Sequence, residues 1–74
     1  MGVINRMSPD QGDLEIKWNR NIDAEVDHAR EAFDSARKQG FIAYKIGRSG
    51  KKTVITEFDS KLERIVMTPA RIRG

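Results

Sequence analysis

A single stripe of apolar residues at helical spacing is the feature that most limits how this chain can fold. Successive members lie four, three, four and three residues apart, and they are Ile22, Val26, Ala29, Phe33 and Ala36. Asn21 is a suitable N-cap before the stripe, and Gly40 is suited to end the helix in the left-handed conformation. We therefore predict one helix from Ile22 to Gln39, whose apolar side needs a second layer of structure to cover it.

The other apolar residues lie in short segments with the composition of β-strands. DLEIKW, at positions 13 to 18, alternates apolar and polar residues with a period of two. FIAYKI (41 to 46) and TVITEF (53 to 58) are rich in β-branched and aromatic residues, and the turn-forming GRSGKK joins them, so we predict a hairpin. RIVMT (64 to 68) is the last predicted strand, which Pro69 ends.

Together these segments predict an α+β domain in which a single helix packs on a four-stranded sheet, with the element order β-α-β-β-β. At 74 residues the chain has room for one domain. We assign residues 13–69 to that domain, residues 1–12 to an extended N-terminal tail, and residues 70–74 to an extended C-terminal tail. The order of the strands within the sheet does not follow from the sequence.

The side chains that carry most enzymatic chemistry are scarce or badly placed in this sequence. There is no cysteine, which excludes disulfides and thiolate metal sites, and His28 is the one histidine. The serines have no evident base to activate them. The acids of the helix alternate with Arg30, Arg37 and Lys38, which favours a solvated, salt-bridged surface. We expect no catalytic residue, no cofactor, no metal ion and no small-molecule substrate, and hence a protein that is not an enzyme.

The apolar runs of this chain are short. They stay far below the roughly 20 residues that a membrane-spanning helix needs, and FIAY is among the longest. The first residues, MGVINRMSPDQG, lack the apolar core of a secretory signal. We therefore expect a cytoplasmic protein without membrane contact, or a component of the virion if the chain derives from a phage.

The basic turn of the predicted hairpin resembles a phosphate-binding loop at first sight. A Walker A loop ends in Gly-Lys followed by Ser or Thr, and it leads into a helix. Here Lys52 follows Gly50 and Lys51, and the segment leads into a predicted strand. We predict an ordinary hairpin turn instead, with positive φ at Gly47 and Gly50.

A basic hairpin can still contact phosphates, and the net charge of +3 permits a nucleic-acid or an acidic protein partner. The candidate contact residues are the cations of the turn and of the C-terminal segment: Lys45, Arg48, Lys51, Lys52, Arg71 and Arg73. Tyr44 and Phe58 would also stack with bases if they shared the uncovered face of the sheet. A nucleic-acid-binding module is therefore an alternative function.

The predicted strands carry apolar residues on both of their sides. Between residues 41 and 46, Phe41 and Ala43 alternate with Ile42, Tyr44 and Ile46. A single helix can cover only one face of the sheet, so the tails or a partner must cover the other. We therefore expect a non-enzymatic assembly protein, a structural or accessory component that binds copies of itself or a larger protein assembly through its sheet face and tails. The residues expected at this interface are Val3, Ile4, Met7, Tyr44, Phe58 and Ile72.

Several short segments of the sequence occur together in other small proteins. The combination of a strand with Trp, a helix, GFIAYKI, EFDSKLERIVMTP and a glycine-ended tail resembles short phage and bacterial proteins of unknown function. Those proteins often end in two glycines, where this chain has Gly74 alone. The resemblance implies a small accessory or virion component.

The segment RIRG, from Arg71 to Gly74, also resembles the basic, glycine-terminated end of ubiquitin, whose chain is nearly as long. This resemblance implies a ubiquitin-like modifier. The second terminal glycine is missing here, and one strand is predicted before the helix where ubiquitin has two. The sequence therefore places a modifier function behind the assembly and nucleic-acid-binding functions.

Overall fold

The structure of the protein is a computed structural model that describes residues 1–8 and 12–70. Within these residues it contains one helix, α1 (Asp23–Lys38), and five strands: β1 (Gly2–Arg6), β2 (Leu14–Trp18), β3 (Phe41–Ile46), β4 (Lys52–Ile55) and β5 (Arg64–Pro69). The strands form one mixed sheet in the order β2-β1-β5-β3-β4. The predicted α+β class with a single helix is confirmed.

Strand β1 corrects the predicted sheet of four strands. It lies in the segment that we assigned to an extended N-terminal tail, and it pairs antiparallel with β2 and parallel with β5. Two strands therefore precede the helix, and the predicted order β-α-β-β-β is wrong. The segment GVINR shows no period-two pattern, because Val3 and Ile4 are adjacent apolar residues on opposite sides of the strand. Residues 71–74 of the predicted C-terminal tail lie outside the described residues.

Helix α1 begins and ends within one residue of the prediction, but its N-cap differs. The N-cap is Ile22, which makes no side-chain capping bond, whereas we predicted Asn21. The preceding turn is held by Asn19, whose side-chain oxygen accepts from the N–H of Asn21 at 2.9 Å and whose own N–H donates to Glu25 Oε1 at 2.8 Å. Gly40 ends the helix with φ of +100°, as predicted. α1 is not long and apolar enough to cross a bilayer, and the described residues contain no other helix.

The core lies between α1 and the face of the sheet that the helix covers. Its buried residues come from the helix stripe and from alternate positions of the strands: Ile4, Trp18, Ala29, Phe33, Ala36, Phe41, Ala43, Ile65 and Met67. Phe58, which follows β4, packs edge-on against Trp18 with the ring centroids 5.0 Å apart. The indole N–H of Trp18 donates to the carbonyl of Ser60 at 3.0 Å. These contacts anchor the segment between β4 and β5 to the helix side of the sheet.

Strands β3 and β4 form the predicted antiparallel hairpin. Its turn is closed by bonds from the N–H of Gly47 to the carbonyl of Lys51 and from the N–H of Gly50 to the carbonyl of Gly47, each 2.9 Å long. Gly50 has the predicted positive φ, at +83°, but Gly47 does not, so that part of the prediction is wrong. β4 is shorter than predicted, because the chain leaves the sheet and turns Phe58 into the core.

Candidate functional site

The face of the sheet that points away from α1, termed the open face, carries a group of apolar side chains. Strand alternation places them there, because their neighbours in sequence, such as Ile4, Ala43 and Ile65, lie in the core. The apolar members of the open face are Val3, Ile42, Tyr44, Ile46, Val54 and Val66. No second layer of helix or strand covers them within the described residues. The open face is thus an apolar surface that a partner can reach.

The strand register sets some of these apolar side chains next to one another across the sheet. Val66 of β5 lies opposite Tyr44 of β3, and Tyr44 lies opposite Val54 of β4. Val66 and Tyr44 are partly buried by their neighbours, whereas Val54 on the edge strand is 58% exposed. Such a continuous row differs from the single exposed apolar residues that are normal on protein surfaces.

Three cations lie in one transverse row of the open face and alternate with two of its apolar members. Val3 is paired with Lys17 on one side and with Arg64 on the other. The antiparallel register of β3 and β5 places Ile46 next to Arg64, and Ile46 is paired with Lys52. Because adjacent strands lie about 4.8 Å apart, neighbouring cations of the row are separated by about 10 Å at the backbone.

The acids of the described residues do not neutralise this cation row. The ion pair found there joins Arg30 to Asp27 on α1, at 3.2 Å. Among the residues of the five strands Glu15 is the one acid, and it lies opposite Asn5, outside the row of cations. The open face therefore combines an apolar surface with an excess of positive charge.

The residues predicted at a protein interface divide between the surface and the core. Val3 and Tyr44 lie on the open face, and Met7 is 43% exposed. Ile4 is 1% exposed and belongs to the core instead, because its side chain points to the helix side of β1. Ile72 lies outside the described residues.

Phe58 also lies on the core side, so it does not share a face with Tyr44. Its ring packs against Trp18 and stands 5.9 Å from the ring of Phe33, measured between centroids. Tyr44 is on the open face, where the ammonium of Lys52 lies 5.9 Å from the ring centroid. The two aromatic residues therefore do not form the base-stacking platform considered from the sequence.

The basic residues of the hairpin do not form one cluster. All four are exposed: Lys45, Arg48, Lys51 and Lys52. Lys45 and Lys52 point to opposite sides of the sheet, since Lys45 is paired with Thr53 and Lys52 with Ile46 in adjacent steps of the ladder. Arg71 and Arg73, the other candidate phosphate contacts, lie outside the described residues.

Reasoning from the sequence did not single out Lys17 or Arg64 as site residues. Strand alternation was the signal available for Lys17, which stands between the inward-facing Ile16 and Trp18. The proximity of Lys17 to Arg64 could not be predicted from the sequence, because the two residues are brought together by β1, which lies between their strands and was not predicted.

A second candidate is a cleft of about 580 Å³ on the helix side of the sheet, beside Phe58. Its wall carries cations, Arg30 and Lys45, together with acids, Glu57 and Asp59. Arg30 is already engaged, since it bonds to a helix carboxylate and lies 5.7 Å from the centroid of the Phe58 ring. The mixed charges of this cleft favour no particular class of ligand.

In the part of the chain that the structure describes, no three metal-ligating side chains come together. Comparisons with models of protein families, with curated proteins and with solved structures return no match for this chain. The function is therefore inferred from the open face and its charges.

Proposed function

We propose that this protein is a non-enzymatic interaction protein that binds another protein surface through its open face. The observation that carries the proposal is the group of apolar side chains there, which no second layer of described residues covers. Complete burial of one aliphatic or aromatic side chain contributes about 1.5–3 kcal/mol. Five of the six are already partly buried and Val54 is 58% exposed, so a partner that covers the face gains the share of this free energy that belongs to the area still exposed.

Within the described residues, the outward surface of α1 offers no comparable apolar group. The apolar stripe of α1 is used in the core, where Ala29, Phe33 and Ala36 are buried. The outward side of the helix carries acids in its first turn and cations in its last turn, and such a surface is well solvated. A partner would therefore engage the sheet and leave the helix in water.

The proposed protein is still a structural or accessory component, as expected from the sequence. The N-terminal segment, however, is part of the sheet and not an interacting tail. Residues 2–6 act as the inner strand β1, and Val3 contributes to the open face from within the sheet. The interface is then carried by a rigid sheet face, which loses less conformational entropy on binding than a free tail would.

A photocrosslinking experiment tests this proposal. Tyr44 is replaced by p-benzoylphenylalanine in the cells that produce the protein, and His28, exposed on α1, is replaced in the same way as a control. Irradiation should give discrete crosslinked products from the open-face position and few from the helix position. Adding Val66→Asn, which replaces an apolar member by a neutral polar one, should remove the products without changing the circular dichroism. Equal crosslinking from both positions, or none from position 44, would contradict the proposal.

A ubiquitin-like modifier is a second candidate function, and β1 is the specific observation that favours it. Two strands precede the helix, as they do in ubiquitin, so one of the two differences noted from the sequence is removed. The first and last strands also lie side by side and parallel, with one helix across the sheet, which is the β-grasp arrangement of ubiquitin. The tail from Arg71 to Gly74 lies outside the described residues.

Covalent attachment to other proteins distinguishes a modifier from a protein that only binds non-covalently. A chain with an affinity tag before Met1, which is 78% exposed, is purified from the producing cells under denaturing conditions. A modifier gives adducts of higher mass that survive denaturation and disappear in the Gly74→Asp variant. A single species at the mass of the free chain would remove this candidate and leave non-covalent binding.

A further inference from the structure

We infer that the partner of the open face is an acidic protein segment in which apolar side chains are flanked by Asp or Glu. The inference rests on the proposed function, because it specifies the chemistry of the partner for the same face. The apolar side chains of the segment would cover Tyr44, Val54 and Val66, which lie in one row. Its carboxylates would meet the neighbouring row that holds Lys17, Arg64 and Lys52.

The charges of the open face favour carboxylates over any other polar group. Three cations stand there against the single acid Glu15, and no ion pair within the described residues involves any of the three. Arg64 lies between the apolar Val3 and Ile46, where a bound segment would exclude water. A guanidinium in such a place is suited to bidentate hydrogen bonding with a carboxylate. Apolar contact and charge pairing are therefore available to one ligand at one place.

A second copy of this chain does not supply that chemistry. A two-fold dimer would bring the same face of both copies together, and with it two sets of like charges. A head-to-tail contact would set the open face against α1, whose outward side carries Asp27, His28 and Glu31 and has no large apolar residue within the helix. The apolar side chains would then lie against charged groups and remain poorly covered. Neither arrangement matches both features of the face.

Nucleic acid satisfies only the positive charge. Binding of single strands depends on aromatic side chains on which successive bases stack. Tyr44 is the one aromatic residue of the open face, whose other apolar members are Val or Ile. Phosphates bound to the cations would leave those aliphatic side chains uncovered, so a protein segment fits the face better.

Selection from random peptides tests the inference, because it lets the open face choose its own ligand chemistry. A phage library of random short peptides is selected on the whole immobilised chain in low salt, and the most enriched peptide is synthesised with a fluorescein label. Its Kd is measured by fluorescence anisotropy for the parent and for the double variant Lys17→Glu, Arg64→Glu. The control is Lys38→Glu, Lys61→Glu, which changes the net charge equally at exposed positions outside the open face. The apolar contact is tested with Val66→Asn.

We expect the enriched peptides to combine Asp or Glu with aliphatic or aromatic residues. The Lys17→Glu, Arg64→Glu variant should weaken binding by about tenfold or more, because two attractive contacts become repulsive, while the control changes it by less than about threefold. Affinity should also fall as salt is added. Loss of binding in Val66→Asn would place the peptide on the open face.

Other outcomes overturn the inference and remain distinct from failure of the proposed function. The selection could enrich apolar peptides without Asp or Glu, whose binding is unchanged by Lys17→Glu, Arg64→Glu but abolished by Val66→Asn. That result would contradict an acidic partner and still support binding by the open face. Peptides that bind the Val66→Asn variant normally, or a selection that enriches no sequence, would also contradict the acidic partner. The crosslinking experiment at position 44 then tests separately whether the open face binds a protein. A labelled single-stranded DNA oligonucleotide that displaces the peptide and binds more tightly would assign the face to nucleic acid instead.

Discussion

At the scale of single residues, a side-chain contact, and not the backbone conformation, requires glycine at position 2. A Cβ atom at Gly2 would overlap the indole ring of Trp18, which is the partner of Gly2 on the neighbouring strand β2. Trp18 is fully buried, and its N–H bond to the carbonyl of Ser60 ties the ring to the segment between β4 and β5. The ring therefore has little freedom to move aside. Gly47 is different, since the nearest atom to a Cβ there is a backbone oxygen 3.8 Å away.

These two glycines make a matched pair for substitution by alanine. Gly2→Ala should lower the free energy of unfolding by about 1–3 kcal/mol, because an extra methyl group must displace a large buried ring. Gly47→Ala should change it by less than about 1 kcal/mol, since the site has room and no positive φ. Urea denaturation followed by the emission of Trp18, the one tryptophan of the chain, measures both. Equal stability of the two variants would show that the Gly2–Trp18 contact imposes no constraint.

At the scale of elements, the sequence predicts correctly the parts whose signal is local. α1 has an apolar stripe from Val26 to Ala36, β2 alternates cleanly, and the β3–β4 hairpin has Gly50 at its turn. β1 was missed because its strand character comes from pairing: Ile4 lies opposite Ile16 on one side and Ile65 on the other. The same distinction between local patterns and strand pairing applies to the candidate site. Apolar residues on both sides of β3 predict an uncovered face, whereas the cation row needs the register that β1 sets.

Strand β1 should be indispensable to the fold. Deleting residues 1–8 would remove the strand that joins β2 to β5, strip backbone groups of both strands of their partners, and delete the buried Ile4. A small domain has about 5–15 kcal/mol of net stability, which such losses exceed. We expect the shortened chain to lose its cooperative thermal transition by circular dichroism. Val3→Thr, which keeps a β-branched residue on the open face of the same strand, should melt close to the parent. A shortened chain that still melts cooperatively would mean that the sheet forms without β1.

At the scale of the whole molecule, α1 and the open face carry net charges of opposite sign. Between Asp23 and Lys38 the helix has five acids against three cations, while the complete chain has a net charge of +3. The strands, by contrast, contain one acid, Glu15. An acidic partner is therefore repelled by α1 and attracted to the open face, which orients it before contact and raises the rate of association.

The same charges make self-association depend on salt. Two copies that meet by their open faces gain apolar contact around Val66 but oppose two sets of Lys17, Arg64 and Lys52. The Debye length falls from about 30 Å at 0.01 M salt to about 3 Å at 1 M, so salt removes the repulsion and leaves the apolar attraction in place. Light scattering at micromolar concentration should therefore give the mass of a monomer in low salt and a larger mass in high salt. Val66→Asn should lower the mass in high salt, because it weakens the apolar contact that remains. A stable dimer already present in low salt would show that like charges do not keep two open faces apart, and a second copy would then replace the acidic segment as the partner of this face.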